Sequence, residues 1–211
     1  MSQAQQQLQA GAAALNIDVS EAQMTQLSAY LALLQKWNKA YNLTAIRDES
    51  GMVALHLLDS LAVHPAIQDA DNLIDVGTGP GLPGIVLAIM NPQKRFTLLD
   101  SNGKKTRFLF QAKTSLALDN VSIVNGRVEA YHPPEPFDMI VSRAFASLAD
   151  MTHWCQHLRA DHGCFLAMKG QFPQQELDDL HGQYEVTQVT ELQIPGVDGE
   201  RHLLRLVPTQ S

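Results

Sequence analysis

Cysteine is scarce in this chain of 211 residues. Cys155 and Cys164 stand too far apart for a C-x-x-C site and too few for a disulfide framework, which leaves buried thiols as the plain reading. No window holds the run of about 18 uninterrupted apolar residues that a membrane span needs. Met1 to Ala10 is glutamine-rich and lacks a basic-then-apolar signal pattern. A cytoplasmic chain without a membrane partner is therefore expected. Positive charge is also in deficit, with 15 Lys and Arg against 22 Asp and Glu, a net charge of −7. That excludes broad, non-specific nucleic-acid binding, which needs many phosphate-neutralising charges, but leaves room for a local basic patch.

Against these absences stands one glycine-rich stretch, N-L-I-D-V-G-T-G-P-G-L-P-G from Asn72 to Gly84. Leu73, Ile74 and Val76 read as a buried parallel strand. Gly77, Gly79 and Gly81 then let the backbone turn and a ligand approach, and a helix is expected to open near Leu82. Strand, glycine turn and helix form a nucleotide cradle. The dinucleotide fingerprint G-x-G-x-x-G fails, because Leu82 stands where the third glycine belongs. The pattern present, D-x-G-x-G-x-G from Asp75, resembles the first motif of class I S-adenosylmethionine (AdoMet) methyltransferases. Asp100 ends the next apolar run about 20 residues on, where an acid can accept from ribose hydroxyls.

The rest of the chain fits this frame. Ser20 and Gln23 form a capping box before an amphipathic helix, Glu21 to Lys39. Met1 to Leu15 reads as a short helix or a frayed end. A second helix runs from Gly51 to Val63, with His56 and Asp59 three apart and so on one face; packing is the favoured reading for that pair. The composition shifts near Asp69–Asn72, dividing a helical extension (1–68) from a sheet domain (69–211). Strands are expected at Leu73–Val76, Phe96–Asp100, Val121–Asn125, Met139–Ser142 and Cys164–Met168. Helices fall between them at Leu82–Met90, Lys104–Leu118 and Leu148–Leu158. Tyr184–Ile194 and His202–Val207, with Gly196 and Gly199 between, close the domain as a hairpin. The fold class is α/β: a Rossmann-like, mostly parallel seven-stranded sheet with helices on both faces.

The loops after the strands carry the chemistry. Lys104, Lys105 and Arg107 open a helix, where cations oppose the dipole; a solvated face is the bland reading and a phosphate partner the functional one. Gly126-Arg127-Val128-Glu129 follows the third strand, and Val128 can pack on an adenine face. Ser142-Arg143-Ala144-Phe145 follows the fourth. Amino-group methylation of nucleic acid usually places an acid or amide, two prolines and an aromatic there, but Pro133-Pro134 precede this strand. Neither cysteine is placed to attack a pyrimidine carbon. No general base is evident, which suits a ring nitrogen whose lone pair needs no deprotonation. His153, Cys155 and His157 make no metal set, since Cys155 points off their face and a fourth ligand is lacking.

W-N-K-A-Y-N-L-T (Trp37–Thr44), H-L-L-D-S (His56–Ser60), the glycine stretch, S-R-A-F-A-S (Ser142–Ser147), M-K-G-Q (Met168–Gln171) and D-G-E-R-H (Asp198–His202) together resemble the RsmG family, also called GidB. The resemblance implies AdoMet-dependent methylation of a guanine at ring nitrogen 7 in bacterial 16S ribosomal RNA, free or in a small-subunit assembly intermediate. It implies cofactor contacts at Gly77, Leu82, Val128, Glu129 and Arg143, to which the glycine-turn reading adds Gly79 and Asp100. It implies RNA contacts at Lys104, Lys105, Arg143 and Lys169. Read from the residues alone, Arg143 can orient the base or bind phosphate, as can Lys169, and no catalytic base or metal is expected. A small-molecule methyltransferase would explain the acidic charge but leave those cations idle. A non-catalytic regulator would not need the intact glycine turn.

Overall fold

The computed structural model describes residues 1–210. The strands are β1 (Asn72–Val76), β2 (Arg95–Asp100), β3 (Val121–Asn125), β4 (Phe137–Ser142), β5 (Arg159–Lys169), β6 (Tyr184–Glu191) and β7 (His202–Pro208). They form one sheet in the order β3-β2-β1-β4-β5-β7-β6. β1 to β5 run parallel, and β7 turns back antiparallel between β5 and β6. The order reverses between β1 and β4, and the crevice beyond their carboxyl ends is where ligands enter such sheets.

Residues along β1 and β4 alternate between two cores. Leu73, Met139 and Val141 pack with the helices of one face, and Ile74, Val76 and Ile140 with those of the other. The first face carries α1 (Gln3–Ala14), α2 (Glu21–Tyr41), the segment Glu49–Leu61, α5 (Gly84–Met90) and α6 (Gly103–Leu116). That segment is α3 (Glu49–Met52), a π-helical stretch (Val53–Leu58) and α4 (Asp59–Leu61). It belongs to an apolar helix long enough to cross a membrane, but most of it is buried in this core. The second face carries α7 (Leu148–Cys155) and α8 (Gln174–Asp178). The buried core thus runs across residue 68, and we propose the 68/69 boundary as a change of chain pattern rather than of core.

Several elements differ from the sequence expectation for local reasons. The N-terminal helix is ordered from Gln3 by a Ser2–Gln5 capping box. The same box opens α2 at Ser20, which continues to Tyr41 until Asn42 takes the left-handed conformation. The helix expected from Leu82 begins at Gly84. Residues before it are held in a turn by the Asp75 carboxylate, which accepts from Thr78 Oγ1 at 2.7 Å and Gly84 N at 2.8 Å. β5 starts five residues early, because Arg159 fastens its own end to the carbonyls of Ala160, Asp161 and Gly163 without apolar alternation. β6 stops at Glu191, short of Ile194.

Candidate active site

The segment after β4 divides the crevice into two clefts. The first, about 280 Å³, is lined by Gly77, Leu99, Asp100, Gly126, Val128, Glu129, Ala144 and Phe145 among others. The second, about 320 Å³, is lined by Leu55, Asp59, Arg143, Met168, Lys169, Arg201 and His202 among others.

The first cleft opens beside the glycine turn. Gly77 has φ +69° and Gly79 φ +60°, a region that L side chains rarely adopt. A Cβ on Gly77 would also stand 2.6 Å from that of Ala144. A Cβ on Gly79 would meet nothing nearer than Lys105 Nζ at 3.9 Å, so conformation and not space demands glycine there. Asp100 is buried, and both its oxygens are engaged: Oδ2 accepts from Gly79 N and Oδ1 from Asn102 N, each at 2.8 Å. Asp100 therefore braces the glycine turn as well as facing the cleft. A carboxylate has about four acceptor positions, so it can still take a ribose hydroxyl. Ser142, which sequence reasoning left unassigned, ties the two loops: its Oγ donates to Val76 O at 2.7 Å and accepts from Ala144 N at 3.1 Å.

The second cleft is made of ion pairs. Asp59 is buried. Arg143 donates to its Oδ2 at 3.3 Å. Arg201 Nε stands 3.4 Å from Oδ1, an ion pair that falls short of a hydrogen bond. Burial pushes the Asp59 carboxyl up, and the two guanidiniums pull it back. Lys169 pairs with Glu176 at 2.8 Å and reaches the carbonyls of Phe145 and Ala146. His202 Nδ1 lies 2.8 Å from Gly170 O. His56 and Asp59 are not each other's partners, because a π-helical turn lies between them and alters the spacing that three residues imply. His56 Nε2 lies 2.7 Å from Thr44 Oγ1 instead. Its pKa is lowered to about 4, by burial first and then by Arg143.

Of the residues singled out in the sequence, Gly77, Asp100, Val128 and Glu129 meet in the first cleft. Arg143 and Lys169 meet in the second. The Leu82 side chain is buried in the helical core. Lys104 and Lys105 open α6. They follow β2, which lies two strands from β4 and three from β5, about 10 and 14 Å across the sheet. The four expected cations are thus split between two places. Asp59, Arg201 and His202 gained no site role in the sequence, though two of the quoted motifs contain them; a charged pair 142 residues apart leaves no local spacing to read.

A glycine turn after β1, an acid at the end of β2 and a reversal of strand order between β1 and β4 define a class I methyltransferase fold. Solved structures share it: an O-methyltransferase from Bacillus cereus in complex with SAH matches at TM-score 0.58 and 20% identity, covering 86% of this chain and 91% of that one. A glycopeptide N-methyltransferase matches at TM-score 0.62 and 11% identity, covering 72% and 96%. Residues 23–204 match the family described as rRNA small subunit methyltransferase G. Curated relatives named ribosomal RNA small subunit methyltransferase G include one from Marinobacter nauticus, 56% identical over 94% of this chain and 92% of its own. Another, from Cellvibrio japonicus, is 55% identical over 97% and 95%. The chain belongs to the rRNA small subunit methyltransferase G family.

Proposed function

We infer that this protein is a cytoplasmic enzyme that transfers the methyl group of AdoMet to ring nitrogen 7 of a guanine in 16S ribosomal RNA. The family match carries the substrate class, and the make-up of the two clefts supports the reaction. The first cleft fits AdoMet. Asp100 offers carboxylate acceptors for the ribose, Val128 an apolar face for the adenine, and Gly77 a backbone without a side chain, with Gly79 two residues on in the same turn. AdoMet supplies an electrophilic methyl group on a sulfonium. We assign Glu129 to the same cleft, Leu82 to the packing that holds the glycine turn, and Arg143 to the wall between the clefts.

The second cleft is the place for the target base. Its apolar walls, Leu55 and Met168 among them, can take a flat ring. Arg143 and Arg201 offer donors to base or phosphate oxygens. Guanine nitrogen 7 has a lone pair in the ring plane. It forms the new bond to carbon as the carbon–sulfur bond breaks, and no proton leaves. A general base is therefore unnecessary, and the residues act by orientation and field. The transfer leaves positive charge on the purine, and the Asp59 carboxylate offsets part of the charge of Arg143 and Arg201 beside it.

The test is labelled methyl transfer from AdoMet to 16S RNA, and to small-subunit particles, from cells lacking the protein. Label at guanine nitrogen 7, mapped by cleavage at the methylated base, is the expected result. Label on an exocyclic amine, or none on either substrate, overturns the reading.

A further inference from the structure

The cations of this chain divide sharply. Lys94, Arg95, Arg127, Arg143, Lys169, Arg201 and Arg205 each have a carboxylate within 4.0 Å. Arg159 is spent on three backbone carbonyls. Among the described residues, the other seven have no carboxylate partner: Lys36, Lys39, Arg47, Lys104, Lys105, Arg107 and Lys113. All seven fall in two stretches, 22–47 and 101–118, and neither contains an Asp or Glu. The other eight Lys and Arg share the rest of the chain with all 22 Asp and Glu.

The fold lays those stretches side by side. α2 and α6 pack through Trp37 and Phe108, with ring centroids 5.7 Å apart, and through Gln26 Nε2 donating to Leu116 O at 2.9 Å. Lys36, Lys39, Lys104 and Arg107 are exposed. Lys36 and Lys39 sit nearly one turn apart, as do Lys104 and Arg107, about 5 Å along each axis. Tyr41 and Phe110 stand 47% and 53% exposed on the same two helices, apolar area that can stack on unpaired bases. This surface reaches the reaction site. Lys105 Nζ lies beside Gly79, and Tyr30 OH donates to Pro80 O at 2.7 Å, so both helices abut the glycine turn.

We propose that the outer face of α2 and α6 is an RNA docking surface that holds the phosphate backbone flanking the target guanine. This rests on the functional reading above and adds a partner-binding role for the N-terminal helical segment. Unpaired cations suit phosphate better than paired ones, since no carboxylate must be displaced and each phosphate met releases counterions. The acidic remainder of the surface repels RNA and so turns this face toward it. Arg143 and Lys169, already held by Asp59 and Glu176, serve the clefts and the loop between them.

The test is the triple variant K36Q/K39Q/R107Q, none of whose positions lines either cleft. Its binding to a 16S fragment is followed by filter retention without AdoMet at several salt concentrations. The expected result is at least tenfold weaker binding and a salt slope about two to three units flatter. KM for RNA should rise by a similar factor, while kcat at saturating RNA and AdoMet affinity hold. K36R/K39R/R107K should bind like the wild type. The control R95Q/R127Q removes two exposed cations away from this face, Arg127 being one that lines the first cleft, and, measured likewise without AdoMet, should leave the slope unchanged. An unchanged slope in the triple variant overturns the proposal even where methylation stands, and an equal loss in the control overturns it by reducing the effect to net charge. Absence of methyl transfer by the wild type overturns the functional reading instead, and the filter measurement still decides the docking face.

Discussion

The two clefts beside Arg143–Phe145 are built from different material. The cofactor cleft is shaped by glycine dihedrals, backbone amides and the Asp100 carboxylate, with Glu129 also in its lining. Its form is set by covalent geometry and short hydrogen bonds from neighbouring loops. The second cleft is shaped by charged side chains from distant parts of the chain, with Asp59 between Arg143 and Arg201. A backbone-built cleft should tolerate no added side chain and respond little to pH. A cleft built on a buried carboxylate and its two guanidiniums should tolerate shape changes better and respond to charge.

The largest effect should come from Gly77→Val. A branched side chain there meets both a positive φ and Ala144, so AdoMet binding should fall below detection by calorimetry while the protein stays folded by circular dichroism. Normal affinity would remove the distinction between the clefts. Asp100→Ala should follow. It loses the ribose acceptor and releases Gly79 N and Asn102 N, costing about 3 kcal/mol of AdoMet affinity, roughly a hundredfold. A fall in Tm should accompany it, because the carboxylate also braces the turn.

His56 gives the pH test. Unfolded, it protonates near its ordinary pKa of 6.5; folded, it stays neutral down to about 4. The unfolded state then binds more protons between those values, so this contribution to stability is whole above 6.5 and lost as pH falls toward 4. The destabilisation caused by His56→Gln should therefore shrink by about 3 kcal/mol on acidification through that window, as measured by urea unfolding. A constant difference would mean that His56 is not held neutral. Asp59→Asn should have the smallest effect on stability, about 1–2 kcal/mol, because Arg143 and Arg201 are part exposed and water screens them. AdoMet affinity should change less than threefold while methylation of 16S RNA falls at least tenfold. Equal losses of both would merge the two clefts into one functional unit.

The chain's own pattern determined the strands, the glycine turn and the acid at Asp100. Each is local: Leu73–Val76 before Gly77 and Phe96–Leu99 before Asp100 read directly as buried runs with a break. The capping box at Ser20 is legible for the same reason. Only the tertiary structure decided which charges meet. Asp59, Arg143 and Arg201 come from a helix, a loop after β4 and the entry to β7, and long-range pairs have no period in sequence. The structure also separated Lys104 and Lys105 from Arg143 and Lys169, because the strand order inserts β1 between β2 and β4. It brought two acid-free stretches together as α2 against α6, where sequence shows only two unrelated runs. Secondary structure follows from hydrogen-bond geometry over a few residues and so is written locally. Charge pairing follows from the path of the sheet, which the whole chain must fold to define.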